Sequence, residues 1–307
     1  MTIWPPLLHP NLTGRHILAA GLILFLLLLT SRSEALVKPR EILLGIEPEH
    51  NIFTQMENYR KLAGYLTGKT GIPVRPTVMS RYGEVLQRFK ELHLDGALLS
   101  SYTATMALDA LGMTPVARPV NLAGEAASYG LIFTRKDSGI RQLRDMRGKS
   151  FAFVDPATAE GYLFPLLYLR QNGIRNPLAY IGRNFFTGSH DSAISAVLDG
   201  RADLGAAKEA VYARQLAKDP ALAKELVILA RSGPLPPATL FLSNSLAPEL
   251  RLGLTTALLE MAANPEGREV LRNIGALHFT RADKKDYDQV RKMAAEAGVN
   301  RDQGPAQ

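Results

Sequence analysis

The sequence predicts an α/β protein of two lobes, each a mixed, mostly parallel sheet flanked by helices, with a ligand cleft between the lobes. Short β-rich runs alternate with helical stretches of about 10 to 15 residues, which is the pattern of βαβ units. The chain has 307 residues, a length that favours two domains. A proline-rich run at 233–237 separates two β-rich runs, so we place one crossing between the lobes at 231–238 and another at 130–136.

The first 35 residues read differently from the rest. An apolar stretch of about 14 residues, 17–30, follows Arg15 and His16. A helix needs about 20 apolar residues to cross a membrane, whereas a shorter stretch after a positive charge is typical of a secretory signal. Small residues at Ser33 and Ala35 predict cleavage after Ala35, and an uncleaved membrane anchor is the alternative.

The elements of the first lobe, residues 36–131 together with 238–307, begin after this signal. A β-rich run at 41–46 precedes a helical pattern at 54–67 that Gly68 closes. Strands near 73–78, 94–99 and 114–118 follow, with helices at 82–93 and 102–111 between them. After the second crossing come a strand at 239–242 and three helices within 246–297. These helices are broken at Asn264-Pro265 and at Gly275, and a short extended piece lies at 277–279.

The second lobe, residues 132–237, has its own alternating set. Its elements are strands near 129–133, 150–154, 202–206 and 226–230 and helices at 161–172 and 189–199. Each lobe can therefore form its own sheet, and ligand sites occur most often in the cleft between two such lobes.

Composition excludes several classes of function. The chain holds 36 Lys and Arg against 29 Asp and Glu, a net charge of +7, without a basic run interleaved with aromatic residues, so we expect no nucleic-acid partner. It has no cysteine, which excludes disulfides, thiolate metal sites and a cysteine nucleophile.

Zinc-protease, P-loop and nucleophile-elbow motifs do not occur in the sequence. Ser189, His190 and Asp191 are consecutive and point in different directions, so they do not form a triad, and we expect neither an enzyme nor a metal or cofactor site.

Three loops each follow a predicted strand and open a predicted helix: 99–102, 155–161 and 188–191. The N–H groups at a helix N-terminus and its partial positive charge suit an anion. Ser101 and Tyr102 in the first loop are candidate ligand contacts. Ser189 and Thr158 also fit plain N-caps, because their hydroxyls can accept from the first turn of the helix that follows.

Longer runs are more specific. Four runs resemble the phosphate-, phosphite- and phosphonate-binding periplasmic proteins of ABC transporters: Y-G-L-I-F at 129–133, D-S-G-I-R-Q-L-R-D-M-R-G-K-S-F-A-F-V-D-P at 137–156, G-Y-L-F-P at 161–165 and G-S-H-D-S-A-I-S-A-V-L-D-G-R-A-D at 188–203. The resemblance covers most of 41–243. It implies the type II periplasmic-binding-protein fold, a small oxyanion ligand and delivery to a permease in the inner membrane, and we expect a monomer in the periplasm.

The resemblance also implies ligand contacts. Tyr129 matches a ligand-facing tyrosine near the hinge, and His190 and Asp191 match a polar pair on the second lobe. Glu209 falls near an acidic position that receives the amino group of some phosphonates.

The Asp-Pro loop departs from the family, which has Ser-Thr-Ser where this chain has Thr158, Ala159 and Glu160. A carboxylate about 5 Å from an anion costs about 1 to 3 kcal/mol. Glu160 therefore changes the specificity of the cleft, points to solvent as a first-turn glutamate, or receives a cationic group of the ligand. A sensory or accessory protein that binds a zwitterionic or cationic ligand, or a membrane receptor, is the alternative function.

Overall fold

A computed structural model describes Met1 and residues 41–299. The predicted signal peptide and its cleavage site lie outside these residues. Within the described part of the chain, no helix has both the length and the apolar character needed to cross a bilayer.

Two sheets organise residues 41–299. The first has strand order β11-β4-β10-β3-β1-β2, and its strands are β1 Ile42–Ile46, β2 Val74–Val78, β3 Gly96–Leu99, β4 Met113–Asn121, β10 Thr239–Ser243 and β11 Ala276–Arg281. The second has order β7-β6-β8-β5-β9, and its strands are β5 Gly130–Arg135, β6 Phe151–Phe153, β7 Asn184–Phe186, β8 Leu204–Lys208 and β9 Leu226–Arg231. The α/β two-lobed class is thus confirmed, while the exact lobe boundaries stay a prediction.

Helices cover both sheets. They are α1 Ile52–Thr70, α2 Val85–Glu91, α3 Ser101–Ala110, α4 Phe164–Gln171, α5 Pro177–Tyr180, α6 His190–Leu198, α7 Glu209–Lys218, α8 Leu222–Glu225, α9 Pro248–Leu259, α10 Pro265–Ile274 and α11 Asp288–Glu296. A π-helical turn, Ala159–Leu163, runs directly into α4.

Strand directions are more mixed than the alternation of strands and helices predicts. β1 pairs in parallel with β2 and β3, and β6 with β7 and β8. β10 runs antiparallel to both of its neighbours, and so does β5. β10 follows the crossing at 231–238 and β5 occupies the crossing at 130–136, so each of these strands lies where the chain passes between the sheets rather than after a local βα unit.

The first helix is longer than its sequence pattern indicates. α1 continues past Gly68 and ends at Gly71, whose φ of 71° is the left-handed conformation that suits glycine. The Asn51 side chain accepts from the N–H groups of Phe53 and Thr54 at the other end of α1. The predicted helix at 82–93 is a 3-10 turn, Tyr82–Glu84, followed by the short α2.

The hydrophobic cores follow the two sheets. Ile42, Leu44 and Ile46 of β1 pack with α1, α9 and α10 in the first. In the core of the second sheet, Phe151 and Phe153 of β6 pack with α4 and with α11. The helix α11 therefore contributes to the core of the second sheet. These cores hold β1, β3, β6 and β8 so that the segments following their carboxyl ends meet between the sheets, which is where ligands bind in α/β proteins.

Candidate functional site

Glu47 directly follows β1 and is buried at the junction with β3. The backbone N–H of Ser100 donates to Glu47 Oε2 at 2.6 Å, whereas Oε1 has no hydrogen-bond partner within the described chain. Burial raises the pKa of Glu47 to about 8, against hydrogen bonds with Thr103 and Ser100 and the charge of Lys208. At neutral pH this carboxyl group is therefore largely protonated and can donate a hydrogen bond from Oε1.

Lys208, the last residue of β8, reaches across to Glu49 in the segment after β1. The side chains are 6% and 15% exposed, and the ammonium group contacts Glu49 Oε1 directly. Burial disfavours the charged form of both groups, but the opposite charge of the partner has the larger effect. Lys208 lowers the pKa of Glu49, and Glu49, Glu160 and Glu47 raise the pKa of Lys208. The two lobes are thus joined by a buried ion pair.

His190 opens α6 and is completely buried. Its Nδ1 accepts from the backbone N–H of Lys208 at 3.1 Å, so the proton of the neutral imidazole lies on Nε2. Nε2 has no partner in the described part of the protein. Burial and the charge of Lys208 lower the pKa of His190 to about 3, so the ring is a neutral donor at physiological pH.

Glu160 is also completely buried, so the expectation that it points to solvent is wrong. Its Oε1 accepts from Ser128 Oγ at 2.6 Å, and Oε2 has no partner within the described residues. Gly161 lets this turn approach β6, because a Cβ there would lie 2.4 Å from a methyl carbon of Val154. The loop therefore directs Glu160 inward.

The other residues predicted from these loops are buried as well. Ser101 Oγ is buried without a hydrogen-bond partner in the described part of the chain. Thr158 instead donates its hydroxyl to the carbonyl of Asp155 at 2.7 Å, so this group is used within its own loop. Tyr102 and Ala159 lie in the core of the second sheet.

Asp191 holds the lobes together. Its Oδ2 accepts from the backbone N–H of Asn51 at 2.8 Å, and its Oδ1 accepts from Gln215 Nε2 at 3.1 Å. The backbone N–H of His190 also donates to the carbonyl of Glu49, at 3.3 Å. The His190-Asp191 pair therefore joins the start of α6 to the segment between β1 and α1.

The side chains of Tyr129 and Glu209 both contact Arg231. Arg231 donates two hydrogen bonds to Glu209, at 2.7 and 2.8 Å, and its guanidinium lies 3.5 Å from the centre of the Tyr129 ring. Tyr129 and Glu209 also line a cavity of about 590 Å³ that includes Arg214. We call Tyr129, Glu209 and Arg231 the rim cluster.

We call Glu47, Glu49, Glu160, His190 and Lys208 the buried cluster. The predicted contacts included two of its members, His190 and Glu160. The other three were missed, together with Tyr82, a buried tyrosine whose ring lies 6.0 Å from that of His190. A usable signal was present in the sequence: a charged residue stands at or directly after the buried end of a strand in I-E at 46–47 and A-K at 207–208.

Two sheets with a buried polar cluster at the facing ends of their strands define a two-lobed solute-binding protein. The family model described as "ABC transporter, phosphonate, periplasmic substrate-binding protein" matches residues 44–287. The chain belongs to this family, whose members are transport binding proteins rather than enzymes. The resemblance read from the sequence is thereby confirmed.

Similar proteins agree with this assignment. The Phosphate-import protein PhnD of Mycolicibacterium smegmatis is 28% identical over 176 residues, which is 54% of each chain, so the match spans about half the length of that relative. A binding protein component of an ABC phosphonate transporter from Pseudomonas aeruginosa has a TM-score of 0.79 at 22% identity, covering 85% of this chain and 87% of that one. PhnD1 of Prochlorococcus marinus in complex with methylphosphonate has a TM-score of 0.78 at 16% identity, covering 86% and 100%.

Proposed function

We propose that this protein binds a small phosphorus oxyanion between its lobes and delivers it to the permease of an ABC transporter. The observation that carries this proposal is a set of buried donors. His190 Nε2, Ser101 Oγ and Tyr82 Oη each lack a hydrogen-bond partner among the residues described. Buried donors are nearly always satisfied, so these groups suit an acceptor supplied from outside the chain.

The charges around these donors are largely balanced. Lys208 lies beside His190, but its positive charge is offset by the ion pair with Glu49, so the hydrogen-bond donors are the groups that bind an oxyanion in this proposal. Glu47 opposes anion binding less than an ionised carboxylate does, because its raised pKa keeps it largely protonated. Glu49 is neutralised by Lys208, so Glu160 is the member of the buried cluster that most alters the specificity.

The direct test is a thermal-shift panel on the purified protein with phosphate, phosphite, methylphosphonate, 2-aminoethylphosphonate and sulfate. A ligand at 100 times its Kd adds about 2.7 kcal/mol to the free energy of unfolding, which raises Tm by several degrees. We expect a phosphorus oxyanion to give such a shift. Silence from every oxyanion, with a response to a cationic metabolite, would contradict the proposal.

A pair of histidine variants connects the shift to the buried cluster. His190→Ala removes the Nε2 donor and should abolish most of the shift. His278→Ala, at an exposed position on β11, should leave it intact. Circular dichroism of His190→Ala establishes that the variant is folded, and an undiminished ligand response in a folded His190→Ala would place the ligand elsewhere.

We further propose that residues 1–35 direct export, that cleavage follows Ala35, and that the mature protein works as a monomer in the periplasm. The apolar stretch at 17–30 and the periplasmic family support this proposal. Mass spectrometry of the exported protein should give a chain that begins at Leu36. An intact chain in the membrane fraction would contradict the assigned location. Capture of a membrane kinase in place of a permease would contradict the transport role.

A further inference from the structure

Glu160 presents a free acceptor inside the proposed binding site. Ser128 satisfies Oε1 at 2.6 Å, while Oε2 is buried and has no partner in the described part of the chain. The side chain is 0% exposed, so solvent at the surface does not satisfy this oxygen. A buried acceptor of this kind favours a ligand that brings its own hydrogen-bond donor.

The nearby cation does not fill this role. Lys208 lies close enough for Glu160 to raise the pKa of its ammonium group, but its hydrogen bond goes to Glu49. His190 Nε2 and Ser101 Oγ are donors, and each lacks a partner among the residues described. The site therefore combines donors for oxyanion oxygens with a carboxyl oxygen, Glu160 Oε2, that lacks a hydrogen-bond donor within the described residues.

An oxyanion without a proton fits such a site poorly. All of its oxygens are acceptors, so one of them facing Glu160 Oε2 would leave two buried oxygens together with no hydrogen between them. An oxyanion that keeps one hydroxyl can donate from it to Oε2 while its remaining oxygens accept from His190 and Ser101. A site built to bind a hydroxyl can reject the analogue that lacks it by about 10⁴-fold.

We propose that the cleft selects the protonated form of a phosphorus oxyanion, with Glu160 Oε2 accepting a hydrogen bond from the hydroxyl on phosphorus. The inference rests on the proposed function, and it assigns Glu160 as the residue that determines specificity. Methylphosphonate is a suitable probe because it has no amine and loses its second proton near neutral pH. Sulfate is the matched ligand without a proton over the same range.

Other titratable groups lie around the proposed binding site, and Lys208 and Tyr82 are close enough for Glu160 to raise their pKa values. The experiment must separate the titration of these groups from the effect of Glu160. Glu49 and Lys208 are paired and charged, and His190 is neutral. Burial raises the pKa values of Tyr82 and Asp155. The pKa of Glu47 is about 8, within the pH range of the experiment, so a slope that comes from Glu47 would persist in Glu160→Gln.

The experiment is calorimetric titration of the purified protein with methylphosphonate and with sulfate from about pH 5.5 to about pH 8.5. Above the second ionisation of methylphosphonate, we expect its Kd to rise about 10-fold per pH unit, the dependence of a single bound proton. Sulfate should bind at least about 100-fold more weakly at every pH. Glu91→Gln, at an exposed position in α2, should keep the methylphosphonate slope, whereas Glu160→Gln should flatten it and strengthen sulfate binding, because an amide can donate to an unprotonated oxygen.

Phosphorus NMR of bound methylphosphonate gives a second reading that needs no variant. At about pH 8.5 the bound signal should keep the chemical shift of the monoanion, while free ligand shows that of the dianion. A bound dianion, or a slope that persists in Glu160→Gln, overturns this inference and leaves the proposed function intact. Binding of 2-aminoethylphosphonate as its phosphonate dianion, with methylphosphonate silent, overturns it in favour of an amine at Glu160. Failure of every oxyanion to bind overturns the proposed function itself.

Discussion

The buried cluster and the rim cluster use the same residue types for different purposes. Each contains a salt bridge between a glutamate and a cation on the second sheet. Lys208 and Glu49 are almost completely buried, whereas Arg231 and Glu209 are 46% and 36% exposed. Solvent therefore screens most of the attraction between Arg231 and Glu209. The attraction between Lys208 and Glu49 is screened much less, and this pair joins the two lobes.

Replacing Lys208 should have the largest effect. Lys208→Met leaves Glu49 buried without its partner, and breaking a buried pair in this way costs about 3 to 5 kcal/mol. Urea unfolding measures the loss. Lys218→Met, at an exposed position on α7, is the control and should stay within about 0.5 kcal/mol of the wild type. Equal stability of the two variants would mean that the buried Lys208–Glu49 pair contributes no more to stability than an exposed lysine does.

The pH dependence of Glu47 gives the next largest effect. The folded pKa of about 8 lies above the ordinary 4.5, so the folded protein keeps a proton that the unfolded chain releases. This contribution to stability is complete below about pH 4.5 and falls by at most about 1.4 kcal/mol per pH unit until about pH 8. Glu47→Gln should remove that fall, so its stability relative to the wild type should increase with pH.

Thermal unfolding at several pH values between 5 and 8 measures this difference. Glu91→Gln, at an exposed position in α2, controls for the general replacement of a carboxylate by an amide. A gap between Glu47→Gln and the wild type that stays constant across this range would show that Glu47 is ionised in the folded protein.

A smaller effect is expected at the contact that joins α6 to the first lobe. In Asp191→Asn, the single amide oxygen can accept from either Asn51 N–H or Gln215 Nε2 but not from both, and the negative charge is removed. We expect the free energy of unfolding to fall by about 1 kcal/mol. X-ray scattering of the unliganded protein should report a larger radius of gyration as the lobes separate. Asp199→Asn, at the exposed end of the same helix, should leave the radius unchanged.

The smallest effect belongs to the rim cluster. Glu209→Gln breaks an exposed pair with Arg231, which is worth about 0.2 to 1 kcal/mol. We expect an unchanged Kd for methylphosphonate in calorimetry, since Glu209 is bound to Arg231 and not to the buried cluster. A loss of affinity of 10-fold or more would restore Glu209 as a ligand contact, the role that family resemblance implies for it.

The site was predictable from sequence where short-range patterns determine it. The loops that hold Ser101, Glu160 and His190 follow strands and open helices, and the hydrophobic pattern of those strands and helices is local. The replacement of Ser-Thr-Ser by Thr158, Ala159 and Glu160 drew attention to Glu160, and the effect of this residue on specificity stays a prediction. The solvent-facing interpretation failed because the direction of a first-turn side chain depends on how closely Gly161 lets the turn approach Val154.

By itself the sequence determined the α/β class, most of the elements and the family, because these depend on periodicity and on contiguous motifs; the short strand β7 and the helix α7 were not predicted. Tertiary structure decided which charges meet. Glu49 and Lys208 are 159 residues apart, and Asn51 and Asp191 are 140 apart, so neither contact leaves a local pattern. The protonation states were decided in the same way, since the pKa values of Glu47 and His190 are set by burial and by Lys208, which act only once the two sheets have packed.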